Sequence, residues 1–341
     1  MKRFAALSLA LLILLLPACR GDDGMVLSGN FAMGSYLSVE TYAGEKGEKL
    51  GFEIIRDIRA LDDEISATQN GSALSKLIAK GSGKPGEPLF SLLERAVRLG
   101  EESGGALDVS LGAVTALWGF STETPQKPGD DAVAEAMKSA GLGNITFDGD
   151  NVTLLNGVRP ELGAVGKGAA LDAAAKRLNG KDVPAVVTFG GSVLLYGEKP
   201  DGGGWTVGVR DPAGETSDAY FATLAFASEK DKAVFISTSG SYEKTFTEDG
   251  KTYHHILDPK TGYPVENGLV SVTAVAEDGF LSDALSTALF VMGKTDDALG
   301  LCKKYLLGAV FVYADGTVFV TERLRDAFTL KSEAYRTESP S

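Results

Sequence analysis

Cysteine and histidine are both scarce in this chain of 341 residues, which has two of each. Two cysteines cannot build a disulfide framework, and no CxxC or CxxH spacing is present, so zinc and iron–sulfur sites are unsupported. Cys302 lies in the apolar stretch LGLCKKYLL and is expected to be a small buried hydrophobic residue. The other cysteine, Cys19, follows the apolar start of the chain.

Positive charge is also in deficit, with 33 Lys and Arg residues against 46 Asp and Glu residues and a net charge of −13. An acidic surface of this kind argues against nucleic acid and against anionic membrane surfaces as partners. An anionic substrate would therefore need positive charge supplied locally, by a side chain or by a bound cation.

The start of the chain predicts a lipoprotein. A short basic segment precedes an almost unbroken apolar run over residues 4–16, which is too short to span a bilayer and is typical of a signal-peptide core. The next residues, LPAC, resemble a bacterial lipobox. We expect a signal peptide over 1–18, acylation of Cys19 and a tether over 19–28; an ordinary secretory signal is the alternative. The protein would then be extracytoplasmic and membrane-anchored, on the periplasmic side or the cell surface.

The rest of the chain predicts an α+β fold. About 320 residues exceed one compact core, which favours two lobes or one large elaborated domain. Strands and helices are interspersed without strict βαβ alternation, so we expect largely antiparallel mixed sheets with flanking helices. Helices are predicted at 48–65, 89–103, 130–140, 166–178, 282–292 and 296–306. Strands are predicted at 31–42, 144–147, 152–155, 185–189, 194–197, 205–209, 221–227, 233–238, 242–247, 270–276, 309–313 and 317–320.

Polar chemistry is concentrated between residues 237 and 293, which include both histidines of the chain. Asp283 and Thr287 are four residues apart on a predicted helix, so their side chains share one face. Oxygen ligands of this kind suit Mg²⁺ or Ca²⁺. In the alternative reading, Ser282 is the N-cap, Asp283 is a first-turn acid and Thr287 is hydrogen-bonded back to its own helix. His255 alone is equally consistent with a hydrogen-bonded strand histidine.

A glycine-rich turn in the segment PELGAVGKGAALD, residues 160–172, leads from a predicted strand into a helix. Glycines allow the backbone to approach a ligand, and a helix N-terminus favours anions, so Lys167 would lie beside such an anion. The segment is neither a GxxxxGK[ST] nor a GxGxxG motif. A turn that only packs a helix against a sheet is the alternative.

Seven stretches, taken together and in order, resemble the ApbE-type flavin transferases. They are FAMGSYLSV, SGGALDVSLGAVTALWGF, ELGAVGKGAALD, FGGSVLLYG with WTVGVRDP, STSGSYEKTF, YHHILDPKTGYP and SDALSTALFVMG. The resemblance implies a transferase domain over 29–330, with two lobes around a flavin nucleotide site, and a flexible tail over 331–341.

The resemblance also implies an activity. Members of this family bind FAD and Mg²⁺, transfer the FMN half of FAD to a threonine or serine hydroxyl of an acceptor protein through a phosphoester bond, and release AMP. Their acceptors belong to membrane or extracytoplasmic redox complexes. Two alternatives are hydrolysis of FAD to FMN and AMP, as a pyrophosphatase, and a flavin-binding lipoprotein without catalysis.

Residue roles follow from the same resemblance. The cation would be held by Asp283, Thr287 and the backbone carbonyl of Ala164. Lys167 and His255 would be catalytic, with His255 as the general base, since a hydroxyl is a poor nucleophile without one. The residues expected to contact the nucleotide are Met33, Gly34, Lys167, Ser239, Gly240, Glu243 and His255.

The chain departs from the usual family pattern at two places. Glu161 stands where an aspartate is usual before Leu-Gly. Thr188 and Ser192 flank the paired glycines of FGGS, where Asn and Asp are frequent. Both departures keep polar oxygen atoms at these positions.

Overall fold

The structure is a computed structural model that describes residues 24–214, 216 and 218–338. The predicted signal peptide over 1–18 and the lipidation site at Cys19 lie outside these residues. Among the described residues, no helix has the length and apolarity needed to cross a bilayer. The helices are α1 Gly44–Ile65, α2 Ala73–Lys80, α3 Glu87–Glu102, α4 Gly112–Trp118, α5 Asp130–Met137, α6 Gly166–Leu178, α7 Gly279–Met292 and α8 Asp296–Lys304.

Most of the strands belong to one large sheet of nine strands in the order β1-β2-β6-β7-β10-β13-β14-β15-β17. Its neighbours are antiparallel except for the pair β15 and β17. Smaller sheets have the orders β11-β12, β16-β9-β8 and β3-β5-β4. The strands are β1 Met25–Ala32, β2 Ser35–Tyr42, β3 Ser82–Gly83, β4 Ile145–Asp148, β5 Asn151–Leu154, β6 Ala185–Phe189, β7 Ser192–Tyr196, β8 Trp205–Arg210, β9 Tyr220–Phe226, β10 Ala233–Gly240, β11 Thr245–Glu248, β12 Lys251–His254, β13 Leu269–Ala276, β14 Gly308–Tyr313, β15 Thr317–Val320, β16 Phe328–Leu330 and β17 Arg336–Thr337. The predicted α+β class with largely antiparallel sheets is confirmed.

Alternation along the strands gives the large sheet two apolar faces. Val272 and Ala274 of β13 pack in a cluster with α3, α7 and α8, whereas Val275 faces the small sheet β16-β9-β8. The neighbouring residues Phe235 and Ile236 of β10 also lie on opposite faces of the sheet. Phe235 packs with α1 and α6, whereas Ile236 packs with the small sheet β16-β9-β8. The two helical clusters therefore share one continuous sheet, and α6 contacts α7 where they meet.

Both ends of the described chain are more ordered than the sequence suggests. Residues 25–28, expected to be part of the tether, belong to β1 and pair with β2, and Val26 is buried. Residues 331–338, expected to be part of a flexible tail, continue the fold through β17. Tyr335 packs its ring 4.3 Å from that of Phe221. Apolar contacts hold both segments against the sheet.

The predicted strand over 31–42 is in fact the end of β1, a turn and the whole of β2, which form a hairpin. Met33 and Gly34 connect β1 to β2, and both have positive φ, 45° and 69°. Two such residues form the type of two-residue turn that matches the twist of antiparallel strands. The continuous apolar alternation hides this turn, because Met33 itself is apolar.

Candidate active site at the start of α6 and α7

Helices α6 and α7 approach each other closely because glycines face each other at their crossing. A Cβ added to Gly168 would lie 2.1 Å from the carbonyl oxygen of Gly279, and one added to Gly279 would lie 2.4 Å from that of Gly168. Only glycine fits at either position. The contact brings the first turns of both helices together, and with them several of the predicted site residues.

Asp283 lies at this crossing and is 3% exposed. Its Oδ2 accepts a hydrogen bond from the Gly168 amide at 2.8 Å. Its Oδ1 lies 3.5 Å from the Lys167 Nζ, and the Ser192 hydroxyl donates to the same oxygen at 3.5 Å. The buried carboxylate thus has one firm hydrogen bond and two long contacts, which leaves Oδ1 open to a stronger cationic partner.

The alternative prediction, in which Ser282 is the N-cap of this helix and Asp283 is a first-turn acid, is wrong. Helix α7 begins at Gly279, and its N-cap is Asp278, whose carboxylate accepts from the Leu281 amide. Ser282 instead donates its hydroxyl hydrogen bond to the Gly279 carbonyl, within the helix. Asp283 is therefore in the second turn, beyond the stretch of free amides that favours an acid.

Thr287 lies one turn after Asp283 and is half-buried. Its hydroxyl is 3.0 Å from the hydroxyl of Ser239, which is also 2.8 Å from that of Ser286. Ser286, and not the predicted Thr287, donates back to the Asp283 carbonyl. The end of β10 therefore joins α7 through hydroxyl groups.

Ala164 precedes Val165, the N-cap of α6. The first bond of the helical ladder runs from the Ala169 amide to the Val165 carbonyl, so the carbonyl of Ala164 lies before that ladder. Lys167, in the first turn, directs its ammonium group toward Asp283. The first turn of α6 therefore places a cation next to the α7 carboxylate, and Ala164 lies three residues before that cation in the chain.

Two hairpin turns border the same helix start. The Met33 amide donates to Asp62 at 2.8 Å, and a Cβ on Gly166 would lie 3.5 Å from the Met33 sulfur. Gly190, in the turn between β6 and β7, has a φ of 58°, and a Cβ there would lie 3.7 Å from the Lys167 Cδ. Met33 and Gly190 thus lie beside the start of α6.

Gly240 and Glu243 continue from Ser239 toward the surface. A Cβ on Gly240 would lie 2.7 Å from the ring of Tyr242, so glycine allows that ring to fold over the strand end. Glu243 pairs with Arg210 at 3.2 Å, with both side chains 42% exposed. Ser239, Gly240 and Glu243 are all among the residues predicted to contact the nucleotide, but only Ser239 contacts Thr287, whereas Glu243 is directed to Arg210.

The adjacent histidines occupy different surroundings. His254 lies 3.0 Å through its Nε2 from the Val265 carbonyl and accepts from the Ile256 amide at its Nδ1. Its ring packs edge-on against Phe290, with 5.9 Å between ring centroids. Because its Nδ1 accepts, Nε2 carries the proton and donates. His254 is therefore a hydrogen-bonded structural histidine.

His255, on the other side of the segment, presents a buried Nδ1 that has no hydrogen-bond partner among the described residues. Burial, followed by the charges of Lys244 and Lys167, lowers the pKa of His255 to about 3. This pKa is well below the ordinary histidine value of about 6.5, because the imidazolium form would be desolvated beside two ammonium groups. The ring is therefore neutral at physiological pH.

Glu161 contributes a carboxyl group to the same surroundings. Burial raises its pKa, while the Gly163 amide, which donates to Oε1 at 2.8 Å, and the charges of Lys244 and Lys167 oppose the rise. Two lysines thus act on both Glu161 and His255. In a chain with a net charge of −13, this is the local positive charge that an anionic substrate needs.

Comparison with known proteins identifies the family. Residues 33–311 match the sequence model of the ApbE family, which is well over half of the chain. The chain belongs to the ApbE family.

Relatives and solved structures agree with this assignment. The Haemophilus influenzae and Treponema pallidum proteins, both named FAD:protein FMN transferase, are 29% and 32% identical over 90% and 74% of this chain and 92% and 74% of their own lengths. The crystal structure of the ApbE protein of Thermotoga maritima, 32% identical, has a TM-score of 0.81 and covers 89% of this chain and 99% of its own. The Pseudomonas stutzeri flavinyl transferase ApbE, at 24% identity and a TM-score of 0.75, shares the fold.

Two residues of this ApbE family member, Asp172 and Lys244, act on the candidate site but were not predicted from the sequence to do so. Asp172 accepts from the Gly279 and Phe280 amides at 2.6 and 3.0 Å, and so joins α6 to α7. Lys244 lies close enough to affect the pKa of His255. Asp172 follows Gly168 by four residues in α6, so the two share one helix face. That spacing could have indicated that Asp172 faces the same neighbour as Gly168. Nothing in the sequence indicated where Lys244 would lie.

Proposed function

We propose that this protein is an FAD:protein FMN transferase, which moves the FMN half of FAD onto a serine or threonine hydroxyl of an acceptor protein and releases AMP. The observation that carries the proposal is the neutral ring of His255, whose buried Nδ1 has no hydrogen-bond partner among the described residues and which lies near the charges of Lys167 and Lys244. A binding protein needs no such proton acceptor. The family and the names of the relatives support the same activity.

The cation in this proposal is Mg²⁺. The described residues contain no group of three His, Cys, Asp or Glu side chains that could hold a metal. Mg²⁺ commonly binds through one or two carboxylates together with substrate phosphates, so a site with one carboxylate fits it. Asp283 Oδ1, the Thr287 hydroxyl and the Ala164 carbonyl would hold the ion, which when bound neutralises charge on the transferring phosphoryl group.

His255 and Lys167 divide the remaining work in this proposal. The acceptor hydroxyl gives its proton to His255 Nδ1 while its oxygen bonds to the phosphorus of the FMN half. The bond from that phosphorus to the bridging oxygen breaks, and the bridging oxygen leaves on AMP. Lys167 faces the pyrophosphate and stabilises its negative charge. The turns at Met33 and Gly190 would border the flavin and phosphates.

Transfer and hydrolysis use the same residues, since water can replace the acceptor hydroxyl. Incubation with FAD, Mg²⁺ and a candidate acceptor, followed by mass spectrometry of acceptor and nucleotides, separates them. Transfer yields flavinylated acceptor with an equal amount of AMP, whereas a pyrophosphatase yields free FMN and AMP. Retention of intact FAD would support the third possibility, a flavin-binding lipoprotein, and would contradict our proposal.

The pH dependence of the reaction follows from His255. A base acts when it is unprotonated, and a pKa of about 3 keeps His255 unprotonated throughout the neutral range. We therefore expect kcat/KM, which reports ionisations of the free enzyme, to show no rise through about 6.5, the ordinary histidine pKa. The measurement is kcat/KM for FAD between about pH 5 and pH 8. A rise near 6.5 that disappears in His255→Gln would contradict this.

We also propose that the protein is lipid-anchored at Cys19 on the extracytoplasmic side of a membrane, where redox complexes would supply its acceptors. Cys19→Ala in the native host should move the protein from the membrane fraction to the soluble fraction. Mass spectrometry of the parent's N-terminal peptide should find Cys19 as the first residue, with acyl chains. A soluble, unlipidated parent protein would contradict the anchor without affecting the proposed activity.

A further inference from the structure

Two carboxylates tie α6 and α7 together in opposite directions. Asp172 of α6 accepts from the amides of Gly279 and Phe280, which start α7. Asp283 of α7 accepts from the amide of Gly168, in the first turn of α6. Each helix thus provides a carboxylate for free amides of the other. We name these three hydrogen bonds the reciprocal clamp.

The clamp acts on a contact that has no spare room. A Cβ on Gly168 would lie 2.7 Å from the Asp283 Cβ, and one on Gly279 would lie 2.9 Å from the Asp172 Oδ1. Because the two helices meet backbone against backbone, no flexible side chain between them can absorb a shift. A shift of one helix along the other therefore moves Asp283 relative to the α6 turn. That turn contains Ala164 and Lys167, so the clamp spans the two halves of the proposed cation site.

Asp172 is suited to hold this geometry as a charged group. Burial, and then the negative charge of Asp278, raise the pKa of Asp172 to about 6, while the two amide bonds and the charge of Arg95 oppose the rise. Arg95 lies 4.0 Å from Asp172, bonds Asp278 at 2.8 Å and stacks over Phe280 at 4.1 Å. At pH 7.5 the carboxylate is ionised and has two acceptor oxygens for two amides.

We infer that Asp172 is a positioning residue for the cation: it sets the distance between the Asp283 carboxylate and the α6 turn that carries Ala164 and Lys167. This inference rests on the cation site of the proposed function. Asp172 is not among the residues proposed to hold the cation or the nucleotide. Its neighbour Asp278 also bonds the start of α7, through the Leu281 amide, but does so within α7 and so does not join the two helices.

The test compares Asp172→Ala, Asp172→Asn and Asp278→Ala. The probe is Mn²⁺ alone, a paramagnetic substitute for Mg²⁺, titrated into the folded protein at pH 7.5 and followed by electron paramagnetic resonance of the free ion. Losing a residue that supports a metal ligand typically weakens metal binding roughly 10- to 100-fold, and we expect that loss for Asp172→Ala. Asp172→Asn, which keeps one acceptor oxygen, should fall between it and the parent.

Asp278→Ala is the matched control, because it removes a carboxylate from the same helix start without unlinking α6 from α7. Thermal unfolding should show a lowered Tm for both alanine variants, with only Asp172→Ala weakened toward Mn²⁺. Equal Mn²⁺ affinities for Asp172→Ala and the parent, or equal losses for both alanine variants, would reduce Asp172 to a stabilising residue and overturn the inference. A parent that binds no Mn²⁺ would overturn the cation site along with it.

Discussion

Asp283→Ala is expected to abolish FAD turnover at every practical Mg²⁺ concentration. The residue supplies the single carboxylate of the proposed site, and among the described residues its Oδ1 has only long contacts, to Lys167 and Ser192. Without it, the cation would keep a hydroxyl and a carbonyl, and Lys167 would lose its counter-charge. The assay measures AMP release over a titration of Mg²⁺, with FAD binding followed separately by flavin fluorescence.

Loss of fold must be separated from loss of the cation in this experiment. The alanine leaves the Gly168 amide buried without its acceptor, which costs about 1–3 kcal/mol of stability. Asp283→Asn keeps an oxygen for that amide and removes only the charge. We expect Asp283→Asn to unfold near the parent's Tm and to be as inactive as the alanine variant. Full activity of Asp283→Asn at limiting Mg²⁺ would exclude the carboxylate as a ligand.

The sequence predicts regular elements well where periodicity extends over many residues. Helix α6 was placed at 166–178, its observed range, because a glycine turn starts it and an apolar face continues through it. Helix α7 begins three residues earlier than predicted, because its cap is Asp278 and not Ser282. The short helices α2 and α4 were not predicted, since eight and seven residues contain too few turns to establish a period.

Within the candidate site, the sequence predicts which residues share a helix face, but it does not predict pKa values that depend on residues distant in the chain. Asp283 and Thr287 share a face because the α-helix repeats every 3.6 residues, and their spacing of four residues can be read directly from the sequence. The pKa of His255 depends on burial and on Lys244 and Lys167, and Lys167 is far from it in the chain. Asp172 was part of a quoted motif, but its partners at the start of α7 follow it by more than a hundred positions. Such pairings exist only in the folded chain.

The second large effect concerns His255. His255→Ala should still bind FAD, because the groups proposed to hold the nucleotide and cation, Lys167, Asp283 and Thr287, remain in place. Transfer should fall by roughly 10²–10⁴-fold, the usual cost of losing a positioned general base. Pre-steady-state flavinylation of the acceptor at saturating FAD measures this rate directly. Unchanged FAD affinity with a slowed transfer step would assign His255 to the proton transfer.

His254 supplies the internal control for that experiment. Neighbouring residues of an extended segment point to opposite sides, and here His254 packs on Phe290 and bonds Val265, away from Lys167. His254→Ala should therefore lower Tm, because it removes a ring contact and leaves the Val265 carbonyl without this donor, while the transfer rate stays close to that of the parent. A slow transfer rate in His254→Ala, together with a normal transfer rate in His255→Ala, would reverse the two roles. Loss of FAD binding in His255→Ala, with normal turnover of whatever FAD is bound, would make His255 a binding group and leave the acceptor proton without its base.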